Sequence, residues 1–314
     1  MSIVLRIERA LVHNPIRRKA KENFRSKVFC YSQRFFQNRG TQGFYSQPLC
    51  PNRTQENQRP TEAVKTRSFS SLDNSKYKNV AIIGSSGAIG NTFTELLSDL
   101  YPNAQIHAFS RHHTKKISPN VFYHSMDYKD EASIEESALI SSKHAPLDMV
   151  IVATGILHDG KLMPEKSIQE LSTEKFQHLF EVNAIFPALV AKHFLPKLNR
   201  NNRAIFAAFS ARIGSISDNQ LGGWYAYRAS KAALNMIIKN LAIETGRSNK
   251  QAVIVGLHPG TVDSSLSKPF QGNVPDGKLF TPQFSVQKML EVLDHLTPEQ
   301  SGKCFAWDGL EIEP

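Results

Sequence analysis

The sequence contains little cysteine and no long apolar run. Three of its 314 residues are cysteines, and two of them, Cys30 and Cys50, lie among the first seventy residues. If that part is removed, Cys304 stands alone and no disulfide can form within the chain, which suits a reducing compartment. No stretch approaches the ~18 consecutive apolar residues of a membrane-spanning helix, so we expect no membrane span. The histidines form no convincing metal-ligand cluster, so we expect no metal.

Acidic residues are scarce in the first seventy residues, which contain 14 Lys and Arg against four Glu and no Asp. The other 244 residues contain 24 basic and 24 acidic side chains, so the net charge of +10 belongs to the N-terminal part alone. A body without net basic charge gives little support to nucleic-acid binding.

Residues 1–70 are typical of an address segment rather than of a folded domain. Residues 1–13 can form a short amphipathic helix, and the rest is rich in Arg, Gln, Ser and Asn. The residues Arg67-Ser68-Phe69-Ser70 resemble the site that the mitochondrial processing peptidase cleaves. We expect a mitochondrial presequence. Because Glu8 and Glu22 interrupt the basic pattern, a plastid transit peptide and a retained disordered tail on a cytoplasmic protein stay open as alternatives.

The body of the chain, residues 71–314, alternates short apolar runs with stretches of helical periodicity. The apolar runs predict strands at 79–83, 105–109, 121–124, 147–153, 204–209, 252–257 and 303–306. The helical stretches are 91–100, 130–143, 173–198, 227–244 and 285–296. This order is typical of a parallel sheet with helices on both faces. The sequence therefore predicts a single α/β domain with a doubly wound parallel sheet.

A glycine-rich turn follows the first predicted strand. Its residues are Gly84, Ser85, Ser86, Gly87, Ala88, Ile89 and Gly90. Glycines let the backbone approach phosphates, and the amides at a helix N-terminus supply donors and positive potential for a pyrophosphate. Such a turn alone is often only a tight connection, but its place at the start of a βαβ pattern predicts a dinucleotide site.

No acidic residue follows the second predicted strand, which ends in Ser110-Arg111. An NAD site usually has an acid there for the ribose 2′-hydroxyl, whereas an Arg accommodates a 2′-phosphate. Arg111 is followed by Lys115 and Lys116, so the sequence favours NADP over NAD. A solvated basic loop is the alternative.

Tyr227 and Lys231 lie four residues apart in a stretch with helical periodicity, which places both on one helix face. A phenol with a pKa of ~10 is a poor proton donor at neutral pH, and a nearby ammonium is expected to lower that pKa. Such a Tyr can protonate a carbonyl oxygen as hydride arrives, or deprotonate an alcohol. An exposed Tyr beside a solvated Lys has the same spacing, so other motifs must support the assignment.

Further polar residues lie where predicted strands and helices border a cleft. Asn183 lies in an apolar helix, where it needs a backbone partner or holds a water. Ser210 ends the fifth predicted strand and can donate to a substrate oxygen, although most such serines cap a turn. His158 and Asp159 belong to a polar loop that we expect to be solvated. Residues 264–282 lack periodicity and predict a flexible loop over the cleft.

In this order, the motifs resemble those of the classical short-chain dehydrogenase/reductase family over residues 77–308. The matching elements are the turn from Gly84 to Gly90, Asn183, Ser210, and Tyr227 with Lys231. The ending from Phe305 to Gly309 resembles, more weakly, the branch of bacterial C-factor-like proteins. The resemblance implies a Rossmann-type fold and an NAD(P)-dependent oxidoreductase acting on a small or medium carbonyl or alcohol. It also implies a homodimer or homotetramer built on the long helices.

The resemblance assigns roles to the four catalytic candidates. Tyr227 would be the general acid/base, and Lys231 would lower its pKa and bind the nicotinamide ribose. Ser210 would orient the carbonyl, and Asn183 would hold a water in a proton relay. Hydride would pass directly between nicotinamide and substrate carbon.

Other residues are assigned to the cofactor. Asp127 is at the family's adenine contact, Gly155 borders the cofactor after the fourth strand, and Pro259, Gly260 and Val262 are where the family holds the nicotinamide carboxamide.

Two departures from the family pattern leave another function open. Ala88 replaces the middle glycine of the turn, and Val152-Ala153-Thr154-Gly155 replaces the family's Asn-Asn-Ala-Gly. A non-catalytic dinucleotide sensor or interaction protein on the same fold is the alternative.

Overall fold

The computed structural model describes residues 76–111 and 118–314. The proposed presequence and the basic residues Lys115 and Lys116 lie outside these ranges. The described strands are β1 Asn79–Ile83, β2 Gln105–Ser110, β3 Val121–Ser125, β4 Met149–Val152, β5 Ala204–Phe209, β6 Ala252–His258, β7 Thr261–Val262, β8 Leu279–Phe280 and β9 Cys304–Ala306. Seven of them form one parallel sheet in the order β3-β2-β1-β4-β5-β6-β9, while β7 pairs with β8.

Helices cover both faces of this sheet. They are α1 Ala88–Leu100, α2 Glu131–Ser142, α3 Thr173–Phe180, α4 Phe186–Phe194, α5 Tyr225–Ser248 and α6 Pro282–His295. In β1, Val80 and Ile82 join the core formed with α1 and α6, whereas Ala81 and Ile83 join the core formed with α2, α4 and α5. A strand buried on both faces reads as a continuous apolar run, which is why the sequence identifies it. The predicted α/β fold with a doubly wound parallel sheet is confirmed.

The order in which the chain adds strands to the sheet reverses between β1 and β4. The chain builds outward from β1 through β2 and β3, then returns to the other side of β1 with β4. Ile83 pairs with Phe109 on one side and with Val152 on the other, so these strand ends lie level. Ligands of open α/β sheets bind beyond the carboxyl ends of the strands at such a switch point.

Two predicted elements differ from the structure. The helix expected over 173–198 is divided into α3, a π-helical segment Glu181–Ile185, α4 and a 3-10 turn Leu195–Lys197. Apolar periodicity does not report one extra residue in a turn, so the sequence did not show the break. The expected loop 264–282 contains a 3-10 helix, Lys268–Asn273, and β8, which pairs beside β7.

None of the helices in the described ranges has both the length and the apolar character that a membrane crossing needs. The same ranges hold no group of three His, Cys, Asp or Glu side chains arranged to bind a metal ion.

Candidate active site

A cleft of about 390 Å³ lies at the carboxyl ends of β1, β2 and β4. The glycine turn forms one wall, and the start of the loop after β4 with the α3 and π-helical segments forms another. Its lining residues are Gly84, Ser86, Gly87, Arg111, Asp127, Tyr128, Lys129, Ala153, Thr154, Gly155, Ile156, His178, Glu181, Val182 and Phe186. Of the predicted cofactor residues, five line it: Gly84, Ser86, Arg111, Asp127 and Gly155.

The turn after β1 needs glycine at two positions. Gly84 has a φ of +91°, and a Cβ added to Gly90 would lie 2.2 Å from the carbonyl oxygen of Gly84. The amides of Gly84 and Ser85 donate to the carbonyl of Phe109 at 2.9 and 3.0 Å, which ties the turn to β2. The chain thus folds back tightly and leaves Ser86 and Gly87 exposed before α1 begins.

The other predicted turn residues support the cradle without lining it. The hydroxyl of Ser85 is buried and donates to the carbonyl of Phe109 at 3.1 Å. Ala88 and Ile89 form the first turn of α1 and are half-buried, and Ile89 packs against the core. Because Ala88 does not line the cleft, its methyl group leaves the exposed part of the turn unobstructed.

Aromatic and charged side chains form the wall beyond β2 and β3. The guanidinium of Arg111 lies 5.9 Å from the ring centroid of Tyr128, which stacks on Phe186 with centroids 4.4 Å apart. Burial raises the pKa of Tyr128 to about 12, so this phenol stays neutral. Asp127 is exposed and accepts from the amide of Lys129 through Oδ1 at 2.9 Å. This wall presents a cation, a flat aromatic surface and a free carboxyl oxygen to the cleft.

Asn183 joins the π-helical segment to the loop after β4. Its Oδ1 accepts from the amide of Ile156 at 2.9 Å, and its Nδ2 donates to the carbonyl of Ile156 at 2.8 Å and to the Ser230 hydroxyl at 3.2 Å. The side chain is 0% exposed, and both amide protons are used. Asn183 therefore braces the backbone, as one of its two predicted alternatives had it.

Lys231 reaches the same corner from α5. A Cβ added to Gly155 would lie 3.6 Å from both Asn183 Oδ1 and Lys231 Nζ. The ammonium donates to the carbonyl of Phe209 at 2.7 Å and lies 5.8 Å from the ring centroid of Tyr227. The structure thus brings Gly155 and Asn183 together with the Tyr227 and Lys231 pair of α5, from three separate parts of the sequence.

Burial dominates the protonation of the Tyr and Lys pair. It raises the pKa of Tyr227 to about 12 and lowers the pKa of Lys231 to about 8. The expectation that Lys231 lowers the pKa of Tyr227 is therefore not met in this structure. The physical reason is that desolvation of a phenolate outweighs an ammonium that donates to the Phe209 carbonyl.

Ser210 lies at the end of β5 but has an internal partner. Its hydroxyl donates to Oδ1 of Asn235 at 2.5 Å, and it also contacts the thiol of Cys304, whose pKa burial raises to about 12. Asn235 follows Lys231 by one helical turn, so Tyr227, Lys231 and Asn235 share a face of α5. The predicted donation from Ser210 to a substrate oxygen would require this hydroxyl to change partner.

Pro259, Gly260 and Val262 lie beyond β6 and outside the cleft. The carbonyl of Pro259 accepts from the Ser285 hydroxyl at 2.7 Å, and Val262 is buried in β7. Gly260 has a φ of +76°, and an added Cβ would lie 2.6 Å from the ring of Phe280. Glycine is needed here because the aromatic ring of β8 covers the turn.

An apolar cluster surrounds Tyr227, which is only 9% exposed. It comprises Leu157, Leu179 and Ala226 with Ile156, Phe176, Ile213, Trp224, Leu266 and Phe270. Residues from Ser265 to Phe270 form a covering segment over Tyr227, to which Leu266 and Phe270 of the cluster belong. His158 binds this segment, since its Nε2 lies 3.3 and 3.2 Å from the carbonyl oxygens of Ser265 and Leu266. His158, expected in a solvated loop, thus anchors the segment over the Tyr. Asp159 lies on the surface, 3.6 Å from His178.

Sequence reasoning missed several lining residues, notably Tyr128, Thr154 and His178. Tyr128 and Thr154 lie shortly after β3, which ends at Ser125, and β4, which ends at Val152, and this position was the available signal. Nothing in the helical pattern marked His178. The Thr154 hydroxyl is buried without a hydrogen-bond partner in the described ranges. This orphan group, the glycine cradle and the exposed Arg111 together fit a phosphate-bearing dinucleotide.

Comparisons with known proteins agree with this geometry. A sequence model described as short chain dehydrogenase matches residues 78–274. C-signal of Myxococcus xanthus is 39% identical over 133 residues, which cover 42% of this chain and 75% of that protein. The 1-hydroxy-2-glutathionyl-2-methyl-3-butene dehydrogenase of Rhodococcus sp. (strain AD45) is 30% identical over 189 residues, covering 60% and 78% respectively.

Solved structures show the same similarity. An NADPH-bound carbonyl reductase from chicken fatty liver matches with a TM-score of 0.65 and 26% identity, covering 76% of this chain and 100% of that one. The carbonyl reductase Sniffer of D. melanogaster matches with a TM-score of 0.66 at 20% identity and the same coverage, and so shares the fold.

Proposed function

The chain belongs to the short-chain dehydrogenase family and is an NAD(P)-dependent oxidoreductase, and on that premise we propose that it reduces carbonyl compounds with NADPH. The observation that carries the proposal is the convergence of Asn183, Tyr227 and Lys231 beside a glycine cradle at the switch point of the sheet. Tyr227 is proposed as the general acid/base. The alcohol dehydrogenase direction is the reverse of the same reaction.

The residues of the cleft fit the cofactor in a definite arrangement. Gly84, Ser86 and Gly87 would hold the pyrophosphate at the start of α1, and Asp127 with the Tyr128 wall would hold the adenine end. Bound NADPH supplies a hydride to the substrate carbon. Gly155 lines the cleft and lies close to the Lys231 ammonium, which supports the proposal that Lys231 would bind the nicotinamide ribose.

The protonation of the site supports reduction. With a pKa of about 12, Tyr227 holds its proton at neutral pH but is a weak acid, so donation to the oxygen of a carbonyl that is gaining negative charge requires the phenolate to be stabilised as it forms. Lys231, whose pKa is about 8, carries a positive charge at neutral pH and would stabilise the phenolate that remains. The apolar cluster around Tyr227 excludes water and favours a small or medium hydrophobic substrate.

Arg111 supports NADPH over NADH. It is exposed, lines the cleft, and follows β2 directly, where no acidic side chain is present to bind a 2′-hydroxyl. The similar chicken carbonyl reductase was solved with NADPH bound.

The protein is further proposed to form a homodimer or homotetramer. Ile185, Met236 and Ile243 are large apolar side chains that are exposed on the π-helical segment and α5. Burying them against a second copy would remove this apolar surface from water.

The test is the Tyr227→Phe variant. Because it removes only the hydroxyl, we expect kcat for a carbonyl substrate to fall by about 10²-fold or more, while the dissociation constant for NADPH stays near that of the wild type. Steady-state kinetics and a fluorescence titration with NADPH measure the two quantities. An undiminished rate would refute the role of Tyr227. A folded wild-type protein that binds NADPH but reduces no compound of a broad carbonyl panel would favour the non-catalytic sensor.

A further inference from the structure

The start of α5 has an unusual backbone. Gly222, Gly223 and Trp224 have φ values of +65°, +63° and +50°, and Trp224 is the sole non-glycine residue with positive φ in the described ranges. A side chain with a Cβ is strained in this conformation and keeps it only when its surroundings enforce it. Tyr227 follows three residues later, so whatever enforces this conformation also sets the start of the helix that carries the phenol.

Glu165, which lies in the loop after β4, enforces this conformation. The amide of Trp224 donates to the carbonyl of Glu165 at 2.6 Å, and the amide of Ala226 donates to Oε2 of Glu165 at 3.3 Å. The side chain of Trp224 makes no capping bond of its own. Glu165 is 1% exposed, so its buried carboxyl and its backbone carbonyl each satisfy one amide at the helix start.

The same contacts need Gly223. A Cβ added there would lie 3.3 Å from the carbonyl oxygen of Glu165, tighter than most Cβ contacts, and the φ of +63° also disfavours a side chain. A side chain at this position would therefore strain the backbone beside Glu165.

The indole of Trp224 is thereby placed against the catalytic candidate. Its ring centroid lies 6.3 Å from that of Tyr227, with an interplanar angle of 66°, and 4.9 Å from that of Phe270 in the covering segment. Trp224 thus stands between the phenol and the segment that covers it. A change of its backbone conformation would move the ring away from Tyr227.

We propose that Glu165 is a positioning residue, which holds Trp224 in its left-handed conformation and so fixes the Tyr227 phenol for proton transfer. The proposal rests on the proposed role of Tyr227. The side chain of Glu165 acts through Oε2, since Oε1 is buried without a hydrogen-bond partner in the described ranges, and the backbone carbonyl is kept in every variant at this position. A glutamine, whose amide oxygen can accept from Ala226, is therefore expected to replace it.

Asp148 offers a matched control. It is also buried, and its Oδ2 accepts from the amides of Lys78 and Asn79 at 2.8 and 3.2 Å. It lies just before β4, at the amino ends of the strands, whereas the cleft lies at their carboxyl ends. A carboxyl with a merely structural role should behave like this one.

The experiment compares Glu165→Ala, Glu165→Gln and Asp148→Ala in the full chain. We expect Glu165→Ala to lower kcat by about tenfold or more while the NADPH dissociation constant stays within about twofold, because a misplaced phenol slows only proton transfer. Glu165→Gln should restore most of kcat. Asp148→Ala should lower the melting temperature and leave kcat of the folded protein near that of the wild type. A wild-type kcat in Glu165→Ala would overturn the proposal.

A second readout does not need turnover. Trp224 and Trp307 are the two tryptophans of the chain, so in a Trp307→Phe background the fluorescence reports Trp224 alone. We expect Glu165→Ala to increase acrylamide quenching of Trp224, and Asp148→Ala to leave it unchanged. Unchanged quenching in Glu165→Ala would overturn the proposal even if the wild type reduced no carbonyl compound, an outcome that would defeat the proposed function separately.

Gly223→Ala covers the case in which Glu165→Ala does not fold. The methyl group added at position 223 would crowd the carbonyl oxygen of Glu165 and displace the backbone before Trp224, while the Glu165 carboxyl stays in the protein. It should raise quenching of Trp224 and lower kcat, and wild-type values of both would contradict the proposal.

Discussion

Single residues of the site owe their protonation to burial more than to neighbouring charges. Burial favours the neutral phenol of Tyr227 and brings the pKa of Lys231 to about 8. Residue spacing on a helix predicts that the two side chains are close, but not how much water each has lost. The direction expected for the Tyr227 pKa from spacing alone is therefore opposite to that in the structure. A neutral phenol suits donation of a proton more than its removal.

His107 provides a prediction at the residue scale. Its Nδ1 lies 3.1 Å from Nε2 of His124, and burial, with His124 and His144 nearby, lowers its pKa to about 4 from an ordinary 6.5. Between these values the unfolded chain binds more protons than the native protein, so stability falls as pH drops from 6.5 towards 4. We expect a melting temperature several degrees lower at pH 5 than at pH 7.

The control for that prediction is His107→Phe. A phenyl ring can keep the stacking against Phe109 and Phe122 but cannot titrate. Its loss of stability between pH 7 and pH 5 should be smaller than that of the wild type. Part of the loss should persist, because burial also lowers the pKa of His258 to about 4. Equal losses in both proteins would show that His107 does not contribute.

Arg111→Ala tests the basis for the proposed choice of cofactor. If the guanidinium binds the 2′-phosphate, its removal should weaken NADPH binding by about tenfold or more, which corresponds to about 1.4 kcal/mol, and leave NADH binding nearly unchanged. Fluorescence titrations with the two nucleotides measure this difference. Equal weakening of both would assign Arg111 to the part of the cofactor that they share.

At the scale of elements, the turn between β1 and α1 requires glycine at position 90. In Gly90→Ala the new Cβ would meet the Gly84 carbonyl at 2.2 Å, whereas in Gly87→Ala the nearest atom is at an ordinary 3.5 Å. We expect Gly90→Ala to cost roughly 1–3 kcal/mol of stability and to abolish dinucleotide binding, because overpacking displaces the turn. Denaturant unfolding and NADPH titration measure the two effects.

Gly87→Ala is the matched control for this turn. Its stability should stay close to that of the wild type, since Gly87 has a φ of −75° and room for a methyl group. Similar losses of stability in the two variants would contradict the steric explanation.

The elements also show what the sequence can reveal. The apolar run at 79–83 and the helix-forming pattern after Gly84 predicted β1 and α1 closely, because burial on two faces and a glycine turn are local signals. The π-helical segment around Asn183 left no such signal, since it depends on bonds to Ile156 and Ser230 from other parts of the chain. The contact of Glu165 with the start of α5 could not be predicted for the same reason, because 61 residues separate Glu165 from Ala226, whose amide it accepts from.

For the whole molecule, we propose that residues 1–70 direct the chain to mitochondria. A fluorescent protein fused behind these residues should accumulate there, because the segment contains 14 Lys and Arg against four Glu. Arg67→Ala should slow the removal of the segment if cleavage occurs beside it. Microscopy and the mass of the mature protein are the measurements. Accumulation in plastids or in the cytosol would support one of the alternatives.

The covering segment from Ser265 to Phe270 has a consequence for the kinetics of the molecule. The dinucleotide cleft is open, so NADPH can enter while this segment stays in place. Under the proposed function, a carbonyl compound would reach the nearly buried phenol of Tyr227 only when this segment moves away from Trp224 and His158. Access of the second substrate should therefore depend on how fast this segment opens, whereas NADPH binding should not.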